Sequence, residues 1–305
     1  MTRVVCIGEC MVELRAVGED SFARSYAGDV YNTAVYLKRS LPQAQVQFVS
    51  AAGDDAMSAT MRRVWRADGI DDSLAFTVSG GSPGLYLIET DAFGERRFQY
   101  WRSQSAARRW LALLLKEGES RLWGADIVYL SGITLAILAA EERQAAIDLM
   151  NRLRAHVGRI AFDPNVRLKL WESPAIAAAS INAAISACDI LLPSTEDLVW
   201  LLQVDDPSQQ LQLLRAMGVS EVALTLGAKG CAVADAETHV RMVSPAVERV
   251  LDTSGAGDSF NGAYLAARLQ GNVPAKAAEA AMLIASRVVT HAGAIVPAVV
   301  SHPQV

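Results

Sequence analysis

The string Asp252-Thr253-Ser254-Gly255-Ala256-Gly257-Asp258-Ser259-Phe260 is the part of the chain with the sharpest chemical signal. Gly255 and Gly257 bracket Ala256, and Asp258 opens a helical run through Ala267. A glycine turn that feeds a helix N-terminus offers converging backbone N–H groups and the positive end of a dipole, which together favour an anion. One reading seats a phosphoryl group in transit over residues 255–257, with Asp258 facing the attacking hydroxyl. The other is an N-capping aspartate after a flexible turn, and short glycine patterns recur often enough by chance for local physics to prefer it. A helix N-terminus lowers an aspartate's pKa, so Asp258 is expected to be a weak base. Phosphoryl transfer tolerates that, because its transition state is loose and the proton can leave late. The chain has no GxxxxGK[ST] loop, and no GxGxxG follows its first apolar run, which disfavours a dinucleotide-dependent dehydrogenase.

The elements that must carry such a site alternate. Apolar runs at 4–8, 46–53, 126–132, 159–163, 189–192 and 221–227 end near Gly, Asp or Ser, and segments with helical spacing lie between them at 55–68, 139–156, 173–187 and 206–217. Continuous apolar strands alternating with helices predict a mostly parallel sheet covered on both faces, with ligands at the carboxyl ends of the strands. One region departs from the pattern. Residues 84–90 and 95–102 flank Asp91-Ala-Phe-Gly94 and read as a β-hairpin with its turn closed by Gly94. Alternation puts Phe98, Tyr100 and Arg102 on one face, and Tyr86 and Ile88 on one face of the partner strand. Segment 9–30 also reads as extended, so a small sheet outside the main layer is expected.

Composition bounds the rest. The 305 residues are about two average domains' worth of chain, though one large α/β unit is equally allowed. The apolar set makes up 51% and charged residues 20%, enough for a core and against disorder. The net charge of −5 argues against nucleic acid and anionic membranes as partners. Four cysteines without ligand spacing read as buried apolar side chains. The N-terminal apolar run is broken by Gly8 and Glu9, and so resembles a first strand and not a signal peptide. No stretch reaches the roughly 18 apolar residues of a membrane span. These features together predict a cytoplasmic protein.

The chain as a whole resembles the ribokinase-like (PfkB) carbohydrate kinases. The carrying residues are Asp252 to Asp258 near one end and Ala27-Gly28-Asp29-Val30-Tyr31-Asn32 near the other. The strings Ile7–Glu13, Pro83–Asp91, Tyr100-Trp101-Arg102, Leu130–Leu138 and Asp163-Pro-Asn-Val-Arg-Leu168 are most similar to the branch that phosphorylates 2-keto-3-deoxygluconate. The resemblance implies a single ribokinase-like α/β domain over 1–305, with a discontinuous β-sheet lid from about 9–33 and 82–103. It implies transfer of the γ-phosphoryl group of ATP to the 6-hydroxyl of that sugar acid. Asp258 would orient and deprotonate the hydroxyl, and the amides of Gly255, Ala256 and Gly257 would stabilise the developing charge. Mg²⁺ would arrive on the ATP phosphates, and a monovalent cation such as K⁺ is a family option.

A carboxylate on the substrate calls for a guanidinium, and Arg102 and Arg167 lie at suitable strand ends. The resemblance adds Tyr86 and Tyr100 from the hairpin, and Gly28 and Asn32 on the hydroxyl side. On the nucleotide side it implies Asn165, Ser194, the turn from Thr225 through Gly227 to Gly230, and Ala285 with Ser286 against the adenine. Three departures stand out: Ala27 where the family commonly has glycine, Ser254 for threonine, and Ser194-Thr195-Glu196-Asp197 for an Asn-x-x-Glu element near the metal. The last leaves Glu196 and Asp197 as alternatives for the ion's outer shell. Exposed edges of the lid sheet would favour a homo-oligomer in which lids pack together. Two other readings stay open: a kinase for fructose or another neutral sugar, and a catalytically silent sugar-acid binding protein on the same fold.

Overall fold

A computed structural model describes residues 1–18, 20–90 and 96–298. Fourteen strands are seen among these residues: β1 (Arg3–Ile7), β2 (Met11–Gly18), β3 (Ser21–Ala27), β4 (Gln45–Val49), β5 (Ala51–Gly53), β6 (Phe76–Val78), β7 (Leu85–Thr90), β8 (Arg96–Trp101), β9 (Ile127–Ser131), β10 (Arg159–Asp163), β11 (Ile190–Leu191), β12 (Glu221–Thr225), β13 (Cys231–Ala234) and β14 (His239–Met242). Eight of them form the main sheet in the order β14-β13-β12-β11-β10-β9-β1-β4. It is parallel from β4 through β12, and β13 and β14 extend it antiparallel. This is the α/β architecture the alternation predicts.

The strands read as unbroken apolar runs because both of their faces are buried. Along β1, Val5 and Ile7 enter one core and Val4 and Cys6 the other. The first core is closed by helices that include Ala140–Leu153 and Pro174–Ser186. The second is closed by Asp29–Ser40, Ala256–Leu269 and Pro274–Val288, with Tyr31, Tyr36, Trp65 and Tyr264 among its largest fully buried side chains. The predicted 46–53 strand divides. β4 stays in the main sheet, and β5 leaves it to pair with β6.

The small sheet runs β3-β2-β7-β8. Its β7–β8 pairing sets Tyr86 opposite Tyr100 and Ile88 opposite Phe98, and the Asp91–Gly94 turn lies outside the described residues. Residues 29–33 belong to the Asp29–Ser40 helix and not to this sheet. That helix crosses Ala256–Leu269 closely at Gly262, where a Cβ would stand 2.5 Å from the Thr33 carbonyl oxygen. The crossing brings residues 226 positions apart within side-chain reach.

Candidate active site

The helix that begins at Ala256 starts from Gly255, which is left-handed at φ 72°. A Cβ there would also lie 2.3 Å from the Ala294 carbonyl oxygen, so glycine is required on two counts. Asp252 holds the approach. Its carboxylate accepts from Ser254 N (2.7 Å) and Gly293 N (2.7 Å). The Ala256 N–H donates to the Thr253 carbonyl (3.2 Å). Gly257 is exposed, and a methyl group on it would meet only open space. The helix mouth therefore faces room for a ligand, and its first-turn amides are the kind an α-helix leaves without internal acceptors.

Asp258 accepts a hydrogen bond from Asn32 Nδ2 at 2.7 Å. Its pKa is pushed up to about 7, chiefly by burial and then by the negative charge of Asp29; the Asn32 bond and the positive charge of Arg167 pull the other way. The expectation of a weak base is thereby corrected. The helix dipole is outweighed by poor hydration of the ionised form and by a second carboxylate that sequence proximity does not reveal.

Further carboxylates converge from β10 and from the Thr195–Leu202 helix. Asp163 ends β10, accepts from Asn165 N (2.9 Å) and Asn261 Nδ2 (2.8 Å), and has its pKa raised well above the usual range by burial and by Asp197, Asp29 and Asp258. Asn165 holds φ 34° and donates to Asp29 (2.8 Å). Asp197 is buried and accepts from Val166 N (2.8 Å) and Ser194 Oγ (2.8 Å), whereas Glu196 is exposed. The strap from Asn165 to Arg167 is thus tied to two helices. Arg167 is exposed, its Nη1 donates to the Val166 carbonyl (2.9 Å), and its charge acts on Asp258, Asp163 and Tyr100. Among the described residues no carboxylate lies within ion-pair distance of it.

The lid-side residues stand differently. Arg102 lies beside Tyr100 electrostatically, but its guanidinium is paired with Glu9, a buried acid that sequence inspection treats only as an interruption of an apolar run. Tyr86 is buried and its hydroxyl donates to Glu13. Tyr100 is 53% exposed and packs on Tyr86 and Phe98. Gly28 is extended, and a Cβ on it would stand 2.2 Å from the Glu9 carbonyl oxygen. Arg167 is the link between Asp258 and Arg102: it acts on Asp258 directly and shares Tyr100 with Arg102.

The residues named for the nucleotide side fall into two groups. Ser194 bridges to Thr225, whose strand leads into the 227–230 turn with Gly227 at φ 59° and Gly230 at φ 103°. A Cβ on Gly230 would meet the Met242 carbonyl oxygen at 2.0 Å and Ser244 N at 2.7 Å, so that turn abuts the end of β14 and the segment after it. The same segment and the end of the Pro274–Val288 helix enclose a cavity of about 540 Å³, lined by Val247, Arg249, Leu251, Ser286 and Thr290 among others. Ser286 enters it, while Ala285 is half-buried against the core. The volume is in the range of small-molecule sites. Among the described residues no cluster of three or more His, Cys, Asp or Glu is arranged to hold a metal ion by itself.

Comparison with known proteins places this geometry. The sequence matches the pfkB family carbohydrate kinase model over residues 1–300. It is 39% identical over 303 residues to the 2-dehydro-3-deoxygluconokinase of Dickeya dadantii, covering 96% of each chain. The structure is similar to the PfkB protein of Polaromonas sp. JS666, with a TM-score of 0.85, 26% identity, and coverage of 95% of this chain and 96% of that one. It also shares its fold with the aminoimidazole riboside kinase of Salmonella enterica, solved with aminoimidazole riboside and an ATP analog. There the TM-score is 0.82 and the identity 23%, over 96% of this chain and 95% of that one.

Proposed function

Because this chain belongs to the pfkB family of carbohydrate kinases, we propose that it transfers the γ-phosphoryl group of ATP to the 6-hydroxyl of 2-keto-3-deoxygluconate, giving the 6-phosphate and ADP. The observation that carries the mechanism is Asp258: a carboxylate at the mouth of a glycine turn, held by Asn32, with a proton affinity poised near neutrality. A base with a pKa close to the working pH is both ionised and able to accept a proton as the hydroxyl attacks. Asp258 takes that proton, and the first-turn N–H groups beside Gly257 face the charge building on the transferred group. Arg167, which makes no ion-pair contact among the described residues, binds the acid end of the sugar. Tyr100 supplies a face for its carbon chain, and Asn32 keeps the base aimed.

ATP lies with its phosphates toward the 255–257 turn and its base toward the Ser286 cavity, and the 225–230 turn approaches it by backbone. Mg²⁺ fits the donors present only as an ion that brings its own waters and phosphate ligands, since hard carboxylate oxygens are at hand without a protein cage. When bound it would neutralise phosphate charge, with Asp163 and Asp197 on its protein side. The small sheet acts as a lid that excludes water from the transfer. Its exposed Val17, Phe22, Phe98 and Trp101 suit burial against a second copy in a homo-oligomer. Among the described residues no helix is long and apolar enough to cross a membrane.

A neutral sugar as acceptor is favoured by one observation: the charge of Arg102 is already balanced by Glu9, so that guanidinium brings no net attraction for an acid. Coupled measurement of ADP release, with Mg²⁺ and K⁺ present, decides between the readings. The sugar acid is expected to be turned over far better than fructose. The reverse order would exclude the acid assignment, and no ADP release with either would leave a binding protein.

A further inference from the structure

The small sheet joins the main body at four chain crossings: Gly8–Cys10, Gly28, 82–84 and 102–105. All four meet at one side chain or its backbone. Glu9 sits on the first crossing and is 2% exposed. At the second, the Gly28 backbone passes so close to the Glu9 carbonyl that no Cβ would fit. At the third, a Cβ on Gly84 would stand 2.8 Å from Glu9 Oε1, and the Gly84 carbonyl accepts from Val12 N at 2.8 Å. At the fourth, Arg102 and Ser105 both donate to the Glu9 carboxylate, one to each oxygen. Arg102 Nε is buried and has no hydrogen-bond partner among the described residues.

A buried charge is costly unless it is paired, and removing one partner leaves the other exposed to that cost. Here the pairing joins parts of the chain 93 and 96 residues apart. We infer that Glu9 is a positioning residue: it pins the four crossings of the lid and fixes the orientation of Arg102, whose charge it balances, beside Tyr100 on the substrate side. The net positive charge for the acid group is then left to Arg167. The part that concerns Arg102 rests on the function proposed above; the pin itself does not.

Two measurements separate these parts. In Glu9→Gln, which keeps the shape and one acceptor oxygen but removes the charge, amide hydrogen exchange should quicken across β2, β7 and β8 and stay unchanged in β1, β9 and β10. Unchanged exchange in the small sheet, or equal quickening in both sheets, overturns the pin. Kinetically, Glu9→Gln should raise KM for the sugar acid about 10-fold or more, as loss of a charged hydrogen bond does, and leave KM for ATP within about twofold. That effect should vanish when Arg102 is already alanine, and Glu9→Asp should recover part of it. An undiminished effect in the Arg102→Ala background shows that Glu9 does not act through Arg102. Lack of turnover by the parent chain would count against the proposed function instead, while the exchange pattern still judges the pin.

Discussion

Two sets of buried and half-buried acids flank the cleft, and their partners make them different tools. On the lid side, Glu9 and Glu13 are met by guanidinium, hydroxyl and phenol donors from Arg102, Ser105, Arg15, Ser25 and Tyr86. On the body side, Asp258, Asp163 and Asp29 are met mainly by the neutral amides of Asn32, Asn261 and Asn165. A cationic partner balances the charge and makes the acid a fastener. An amide fixes the carboxylate in place without cancelling its charge, so burial and neighbouring acids still raise the proton affinity of Asp258 and Asp163. The same residue chemistry thus serves architecture at the hinge and proton transfer at the sheet end.

The largest test of this contrast is Asp258→Asn. The amide keeps the shape and can still bond Asn32 after a flip, but it accepts no proton. Turnover should fall about 10²- to 10⁴-fold, the range of general-base loss, with KM for ATP little changed. Near-normal kcat would remove Asp258 from its role. The same variant has a stability signature. With its pKa raised from 3.8 to about 7, folded Asp258 holds its proton more tightly than the unfolded chain does. Its contribution therefore favours the fold below pH 4 and declines as pH rises through 7. Asp258→Asn should then melt at or above the parent's temperature at pH 8, whereas Glu9→Gln should melt below it.

Next in size is Arg167→Ala. If Arg167 supplies the net charge for the acid group, KM for the sugar acid should rise about 10- to 100-fold, the cost of a charged hydrogen bond, while KM for ATP moves little. An equal rise in both would place Arg167 with the nucleotide or with the strap.

Much of this was legible in the chain. Strands buried on both faces must be continuously apolar, so the alternation of 4–8, 126–132, 159–163 and 221–227 with helices revealed the parallel sheet. The glycine turn before Asp258 announced itself because φ 72° and the close approach of Ala294 both demand glycine. What stayed hidden depends on long-range approach. The raised proton affinity of Asp258 comes chiefly from burial and then from Asp29, and the local sequence reveals neither. Glu9 and Glu13 carry a local signal: two charges inside Ile7-Gly-Glu-Cys-Met-Val-Glu13, where an apolar setting predicts buried, paired acids. Asp163 was foreshadowed by the rule that chemistry follows strand ends, since it is the last residue of β10.

A smaller effect tests the electrostatics directly. The pH profile of kcat/KM should show an acidic limb near pH 7, with activity lost as pH falls and Asp258 gains its proton. The groups facing that carboxylate are Asp29 and Asn32 from one helix and Arg167 from the strap after β10; Tyr36, Tyr129 and Asp163 feel its charge in turn. Asp29→Asn removes the main charge that raises it and should move the limb to lower pH. A limb that stays in place would show that burial alone sets it.

The smallest effect is expected where the two regions touch. Ala27, which stands where the family commonly has glycine, is 4% exposed in a cluster with Met11, Tyr86 and Ile88 from the lid and Ala294 from the body. Its methyl group is therefore a contact between the lid and the loop that packs on Gly255. Ala27→Gly deletes about 0.8 kcal/mol of apolar burial and adds roughly 0.5–1 kcal/mol of backbone entropy cost in a strand. The melting temperature should drop by a few degrees. Because Ala27 touches neither the base nor the pairing of Glu9, kcat and the acidic limb should hold, and hydrogen exchange should quicken in β3 alone. If the variant instead loses turnover, the lid and the base are coupled through this cluster, and the division between fastening acids and proton-accepting acids is less complete than their partners imply.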